Sequence, residues 1–259
     1  MKSLIKNLAN TKLGIILRNS INIAPVNIKI FKENKKVFIV SDIFLWRTDN
    51  GFKTRFNFTD IINFFYGIEN SWAEIHFYTK NNELIKKLKI ESLNKINSID
   101  ITAKYLGKKD FGNFYIFHYC SKETKALLDD NTLSNRCYVG YSQNDNLHSF
   151  VHGNAHAKFT SVYNDENIKS DIIKTSLFKN SKYTIQKYFD LSSKNEIFIS
   201  NPTSKKIKFS INNKNYILKP FNTISIIVEQ SIITIISNCR FLRPTVFSYK
   251  NQYLDVHHS

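Results

Sequence analysis

Three histidines are the first candidates for chemistry, because imidazole nitrogens bind metal ions and exchange protons near neutral pH. His152 and His156 are four residues apart, and His257 lies near the end of the sequence. Gly153 and Asn154, between the first two, favour a turn over a helix, so the spacing specifies a metal site only weakly. Two interpretations stay open: a divalent-metal site built from the three histidines, or strand ends whose imidazoles hydrogen-bond to loop backbone.

A second group of residues surrounds Trp46 and Arg47, with Asp42 before them and Asp49 after them. An exposed Trp beside Arg and Asp suits a sugar, because the indole stacks on C–H groups and the guanidinium binds hydroxyls or a carboxylate. The alternative is that Phe44 and Trp46 share a core-facing side of a strand, while Arg47 pairs with Asp42 or Asp49. The sequence leaves both interpretations open.

Further side chains suited to a sugar or an anion lie later in the chain. They are Arg136, Tyr138, Tyr141, Asn154 and Arg243. Arginine is singled out because its planar fork bonds carboxylates with two hydrogen bonds, and only six of the 37 basic residues are Arg. Motifs of other chemistries are missing from the sequence: it contains no glycine-rich phosphate loop and no GxSxG nucleophile turn.

The formal charge of +16 over 259 residues first indicates a negatively charged partner. The types of the basic residues argue against such a partner. Lys supplies 31 of the 37 basic residues, and Lys, Asn, Ile and Phe, which AT-rich codons encode, make up 118 of the 259 residues. Nucleic-acid sites favour clustered Arg. We therefore interpret the charge as mainly compositional and expect that nucleic acid is not the partner.

The sequence predicts mainly short strands as the elements that position these residues. Segments of β-branched and aromatic residues alternate with clusters of Asn, Asp, Ser or Gly. Residues 207–211 alternate apolar and polar, and Asn212-Asn213 is typical of a hairpin turn because Asn tolerates positive φ. Helix signals are few: a weakly amphipathic segment at 4–18, a short helix capped at Thr59 or Asp60, and residues 123–130. The pattern predicts a mostly β fold of sandwich type.

Two parts of the sequence repeat one order of features, which predicts an internal duplication. Residues 68–99 contain a strand, Asn81-Asn82, a second strand and Asn-Ser-Ile, and residues 199–226 follow the same order through Asn212-Asn213. His152 and His257 fall at matching places downstream, so packing about a pseudo-two-fold axis would bring them to one interface. We predict two sandwich-like antiparallel β-modules. The ranges are a short helical N-terminal extension (1–24), an elaborated first module (25–161), a linker (162–182) and a compact second module (183–259).

The compact part carries a family resemblance. Residues 196–247 contain a strand into Asn-Pro-Thr, a hairpin, Leu-Lys-Pro, and a late strand ending in Leu-Arg-Pro-Thr-Val-Phe. This stretch, about a fifth of the chain, resembles the small β-sandwich of the sensory-rhodopsin-transducer family, which implies a soluble, oligomerising binding module. The whole chain is similar to an uncharacterised bacterial family with an Asp-x-Phe-x-Trp-Arg element, here 42–47, and a His-Gly-Asn element, here 152–154. That likeness implies a setting in surface-polysaccharide metabolism.

These observations predict a non-catalytic binding or assembly protein for a carbohydrate or an anionic small ligand, able to form homo-oligomers and without a resident cofactor. The alternative is a metal-dependent enzyme acting on sugars or sugar nucleotides through His152, His156 and His257. A third hypothesis is an electrostatic nucleic-acid binder. Three cysteines are too few for a disulfide framework, and no apolar run reaches 18 residues. We therefore expect a cytoplasmic protein with no membrane span.

Overall fold

The computed structural model describes most of the chain from residue 37 onward. The described residues are 37–40, 43–120, 132–133, 137–152, 157–160, 180–186, 194–203, 205–230, 232–239, 242, 244–251 and 253–258, with residues 8, 11, 13, 14 and 17 nearer the start. All strand pairs described below are antiparallel.

The first two sheets are built mainly from residues before 161. The first contains β1 (Val37–Val40), β2 (Phe44–Arg47), β4 (Trp72–Thr79), β5 (Leu84–Ile90), β7 (Phe111–Cys120), β8 (Thr132–Leu133) and β11 (Ala157–Thr160). Its order is β5-β4-β7-β1-β11-β8, and β2 also pairs with β7. The second contains β3 (Phe52–Phe58), β6 (Asn97–Ile101), β9 (Cys137–Gln143) and β10 (Ser149–His152), in the order β10-β9-β3-β6.

The last two sheets are built from residues after 180. The third contains β12 (Ser181–Gln186), β14 (Ile207–Ile211), β15 (Lys214–Leu218) and β17 (Ile232–Ser237), in the order β12-β17-β14-β15. The fourth contains β13 (Lys194–Ser200), β16 (Thr223–Val228), β18 (Thr245–Lys250) and β19 (Tyr253–His258), in the order β16-β13-β18-β19.

The predicted turns and one predicted helix are confirmed, and their local chemistry explains them. Asn82 adopts φ 68° between β4 and β5, and Asn212 and Asn213 adopt φ 46° and 70° between β14 and β15. Helix α1 (Ile61–Tyr66) begins where the Asp60 carboxylate accepts hydrogen bonds from the backbone N–H groups of residues 62 and 63. A second helix, α2 (Ala103–Leu106), precedes β7.

Two large hydrophobic clusters join these sheets in pairs. One lies between the first and second sheets and also includes Phe198, Phe247 and Val256 of the fourth. The other lies between the third and fourth sheets. The prediction of a mostly β, antiparallel fold is confirmed. The four sheets form a propeller-like arrangement. They are not two clearly separate sandwiches, because the first cluster contains side chains from both halves of the chain.

The predicted boundaries fall largely on residues that the structure does not describe. In the 1–24 extension, the described residues 8, 13, 14 and 17 are helical. In the 162–182 linker only residues 180–182 are described, and two of them already belong to β12. Residues 123–130 lie outside the described ranges. Within those ranges, no helix is long and apolar enough to cross a membrane.

Gly112 gives a stability prediction for the sheet that holds Trp46. A Cβ added at Gly112 would lie 2.1 Å from the backbone oxygen of Tyr78 and 2.9 Å from Trp46 Cε2, so the backbone itself would have to move. We expect Gly112→Ala to lower the unfolding free energy by about 3 kcal/mol in urea titrations. At Gly67 (φ 62°) an added Cβ meets nothing within 4 Å, so Gly67→Ala should cost only about 1 kcal/mol. Equal losses would contradict this account.

Candidate functional site

The candidate site forms around Arg47, the last residue of β2. All four residues of β2 are buried, and the Arg47 side chain is 2% exposed. Its backbone N–H donates to Thr54 Oγ1 (2.8 Å), and that hydroxyl donates to the Arg47 carbonyl (2.9 Å). These two bonds tie the end of β2 to β3 and fix the direction in which the Arg47 side chain leaves the strand.

The Arg47 guanidinium joins carboxylates from the two halves of the chain. Its Nε and Nη2 donate to the two carboxylate oxygens of Asp49, at 2.8 and 3.2 Å. Its Nη1 donates to Glu196 Oε2 at 2.7 Å and to the Tyr249 hydroxyl at 2.8 Å. Glu196 lies on β13 and Tyr249 on β18, both in the fourth sheet. A buried charge is tolerated only when paired in this way.

Three aromatic rings surround the guanidinium carbon. It lies 3.9 Å from the centroid of Phe52, 4.9 Å from that of Phe198 and 5.0 Å from that of Phe247. Such ring faces attract cations while excluding water. The rings therefore enclose the Arg47 guanidinium between the second sheet, which contains Phe52, and the fourth sheet, which contains the other two.

Two of the ionisable groups bonded to Arg47, Glu196 and Tyr249, have shifted pKa values. Burial alone would raise the pKa of Glu196, but the Arg47 charge and hydrogen bonds from Ser225, Tyr249 and Arg47 outweigh it and lower that pKa below its usual value. Burial raises the pKa of the Tyr249 hydroxyl. Near neutral pH, Glu196 is thus a carboxylate and Tyr249 a neutral phenol, and neither is poised to transfer a proton.

A cavity of about 300 Å³ opens beside this cluster. Its lining residues are Arg47, Asn50, Gln143, Lys194, Glu196 and Tyr249. The Asn50 amide donates to Asp49 (3.0 Å) and the Gln143 amide donates to the Asn50 carbonyl (3.0 Å), so both side-chain oxygens are left as acceptors. Lys194 is exposed, and its ammonium lies 5.8 Å from the centroid of the Tyr249 ring. The cavity thus offers amide oxygens and one cation to a small ligand.

The predicted sugar platform at Trp46 is wrong, and the alternative interpretation is correct. The indole is fully buried and its Nε1 donates to the Tyr78 carbonyl at 2.8 Å, so no face is open to a sugar ring. Arg47 pairs with Asp49, as that alternative expected. Tyr141 is also buried, and its hydroxyl donates to the Leu45 carbonyl (2.9 Å), so it serves the core rather than a ligand.

The histidine prediction finds a partial counterpart in the structure. The rings of His152 and His258 lie at right angles with centroids 4.3 Å apart, where β10 meets β19. His257, which the sequence placed at this meeting point, instead has its Nδ1 3.0 Å from Asp255 Oδ2. Within the described ranges, no group of three or more His, Cys, Asp or Glu side chains could hold a metal ion.

Five predicted site residues lie outside the described residues. They are Asp42, Arg136, Asn154, His156 and Arg243. Their assignments stay predictions, and so does the three-histidine metal site, because it depends on His156.

Sequence reasoning missed most of the cavity. Lys194, Glu196 and Tyr249 lie about 150 to 200 residues from Arg47, and no motif connects them to it. One signal was available: Glu196 directly precedes the apolar residues 197–199 of β13, and a carboxylate buried beside such residues requires a partner that is charged or donates hydrogen bonds. That signal points to a buried partner without saying which residue it is.

Comparisons with known proteins add little to this geometry. No family model and no curated protein matches the chain. Among solved structures it is similar to a β-glucuronidase from glycoside hydrolase family 2 (10% identity, TM-score 0.18), over 89% of this chain and 24% of that one, about a quarter of the enzyme's length. It is also similar to the major pilin from Streptococcus pyogenes (11% identity, TM-score 0.20), over 85% and 83% of the two chains. Likenesses at these TM-scores carry no argument here.

Proposed function

We propose that the protein is a non-catalytic binding protein that takes one small, hydroxyl-rich ligand, such as a single sugar unit, in the cavity beside Arg47. The observation that carries the proposal is the lining itself. Amide oxygens of Asn50 and Gln143 accept from hydroxyl groups, and the Lys194 ammonium donates to a hydroxyl or a carboxylate. A volume of about 300 Å³ lies at the lower end for ligand pockets, which suits one ring rather than a polymer.

The electrostatics of the cavity support binding over catalysis. A glycosidase acid needs a carboxyl group whose pKa is raised, whereas the pKa of Glu196 is lowered. Every donor of the Arg47 side chain that the structure assigns is directed at Asp49, Glu196 or Tyr249. In this proposal Arg47 is a positioning residue that holds the wall of the cavity, and the polar groups at the rim contact the ligand.

The proposal also gives the two halves of the chain a joint role. The predicted first module (25–161) supplies Asn50 and Gln143, and the predicted second module (183–259) supplies Lys194 and Tyr249. A ligand between them would contact both, so its binding would stabilise the pairing of the modules by mass action.

The test is a titration of the purified protein with glucose, galactose, mannose, glucuronate and galacturonate, followed by saturation-transfer NMR and calorimetry. We expect at least one of them to bind, and Lys194→Ala to weaken binding about tenfold, since one charge-assisted hydrogen bond contributes about 1.5 kcal/mol. Lys206→Ala, which removes an exposed lysine outside the cavity, is the matched control.

Three results would count against the proposal. The first is that none of the five sugars binds, and the second is that Lys194→Ala and Lys206→Ala bind equally well. The third is turnover of nitrophenyl glycosides, lost in Glu196→Gln, which would make the cavity an active site.

A further inference from the structure

A second surface with binding chemistry lies on the side of the second sheet that faces away from the hydrophobic core. Along β3 the buried side chains of Phe52, Thr54, Phe56 and Phe58 alternate with part-exposed Lys53, Arg55 and Asn57. Along β9, Tyr138 points the same way, and on β10 so do Phe150 and His152. We call this side of the sheet the open face.

Two aromatic rings stand out on the open face. Tyr138 is 54% exposed and Phe150 is 43% exposed, although both lie on paired strands. Phe150 pairs with Gly140 and Tyr138 pairs with His152, so the two rings are diagonal neighbours across β9 and β10. Diagonal neighbours of this kind lie about 7–8 Å apart, which separates the rings enough to meet different units of one chain-like ligand.

Gly140 allows the Phe150 ring to lie flat on the sheet. A Cβ at Gly140 would stand 2.4 to 2.7 Å from three atoms of that ring, so the ring occupies the space that any other residue would fill. A flat ring with one face towards the solvent is the shape that stacks on the C–H face of a sugar.

The described lysine and arginine side chains of the open face are each paired with an aspartate. Arg55 donates two hydrogen bonds to Asp100, at 2.6 and 2.8 Å, and Lys53 pairs with Asp145. Burial lowers the pKa of His148, with the charge of Arg55 acting in the same direction, so its ring, 5.8 Å from that of Phe150, is neutral at pH 7. Among the described residues, the open face therefore carries no excess positive charge, although the net charge of the chain is +16. Such a face is not suited to nucleic acid or an anionic membrane.

Polar groups that can bind hydroxyls surround the rings. Asn57 lies opposite Tyr138 on one neighbouring strand and opposite Ser98 on the other. Arg55 bonds Asp100 through Nε and Nη2, and its Nη1 takes no part in these two hydrogen bonds. We propose that the open face binds a neutral glycan chain, with Tyr138 and Phe150 stacking on sugar rings and Asn57 and Arg55 bonding their hydroxyls. This site is separate from the cavity, and its occupancy does not depend on the function proposed there.

The test is electrophoresis of the full chain towards the cathode at pH 7, where its formal net charge is +16. The native gels contain dextran, galactomannan, xyloglucan or hydroxyethyl cellulose. We expect at least one polysaccharide to retard the protein. Tyr138→Ala and Phe150→Ala should each weaken binding about tenfold, as loss of one stacked ring predicts. Phe64→Ala, which removes a ring on α1 that is 61% exposed, should bind like the parent chain.

Gly140→Ala provides a further check, because it keeps both rings but displaces Phe150 from the sheet. It should weaken retardation about threefold or more, while circular dichroism confirms that the fold is retained. Lys194→Ala should leave polysaccharide binding unchanged, which separates this site from the cavity.

Three outcomes would overturn the proposal: no polysaccharide of the panel retards the chain, the two alanine variants bind like Phe64→Ala, or sedimentation shows a dimer that Tyr138→Ala dissociates. The last would assign the open face to a second copy of this chain.

Discussion

Replacing Arg47 with methionine is expected to lower the unfolding free energy by about 3–5 kcal/mol, because it leaves two carboxylates without their cation. Glu196 and Asp49 have side chains only 14% and 22% exposed, so water compensates them poorly. The substitution also leaves the Tyr249 hydroxyl without one of its two partners and removes the cation from between three phenylalanine rings. Urea titration monitored by circular dichroism measures the loss.

The matched control is Arg55→Met. Arg55 also donates two hydrogen bonds to one aspartate, but its side chain is 39% exposed and that of Asp100 is 54% exposed. Exposed pairs contribute about 0.2–1 kcal/mol. A loss for Arg47→Met no larger than that for Arg55→Met would mean that the buried cluster contributes nothing beyond a surface pair.

A second substitution separates the unpaired charge from lost packing. In the Arg47→Met background, Glu196→Gln removes the uncompensated charge and keeps one side-chain oxygen, which can accept from either Ser225 or Tyr249. We expect this double variant to recover about 1 kcal/mol or more. In the parent chain Glu196→Gln should destabilise, since the pKa of Glu196 is lowered in the folded state and its charge stabilises the fold above the unfolded pKa.

Local features of the fold could be predicted from short stretches of sequence. The hairpin turns follow from adjacent asparagines, because Asn82, Asn212 and Asn213 occupy positive φ with little strain. The start of α1 follows from Asp60, whose carboxylate fits the free N–H groups of the first turn. Both depend on residues a few positions apart, which is the range over which sequence patterns carry structural information.

The burial of Arg47 could not be predicted, because its cause lies far along the chain. Alternation correctly placed Phe44 and Trp46 towards one core, and a lone strand would then direct Arg47 to solvent. The fourth sheet instead covers that side, with Glu196 and Tyr249 lying 149 and 202 residues away. No property of residues 42–49 specifies which later strand packs against them, so a surface cation and a buried one look identical in the sequence.

The strands β10 and β19 do meet, but His258 and not His257 contacts His152, and the faces of β19 explain this difference. The repeated order of features placed His152 beside His257, whereas His152 contacts His258. On β19, Leu254 and Val256 pack against the first hydrophobic cluster, and side chains two apart share a face. The His258 side chain therefore lies on the same face of β19 as Leu254 and Val256, towards β10. The His257 side chain lies on the opposite face.

His118 should make the stability of the protein fall in acid. Its ring is fully buried on β7, neither ring nitrogen has a hydrogen-bond partner among the described residues, and burial lowers its pKa to about 3. Between about pH 6.5 and pH 3 the unfolded chain binds a proton at this position and the folded chain does not, so the unfolding free energy decreases as the pH falls. The slope approaches about 1.4 kcal/mol for each pH unit, and the effect vanishes above pH 6.5.

Two apolar replacements test this origin of acid sensitivity. His118→Leu and His118→Phe differ in how they fit beside Phe58, whose ring lies 6.2 Å from that of His118, so their stabilities at pH 7 should differ. Both variants remove the group that binds a proton in the unfolded chain. Relative to the parent, the unfolding free energy of each variant should therefore rise by about 3 kcal/mol between pH 7 and pH 4. Urea titrations at half-unit pH intervals measure this gain. Curves that run parallel to that of the parent would mean that the His118 ring takes up its proton in the folded state after all, which requires water or a polar group beside it.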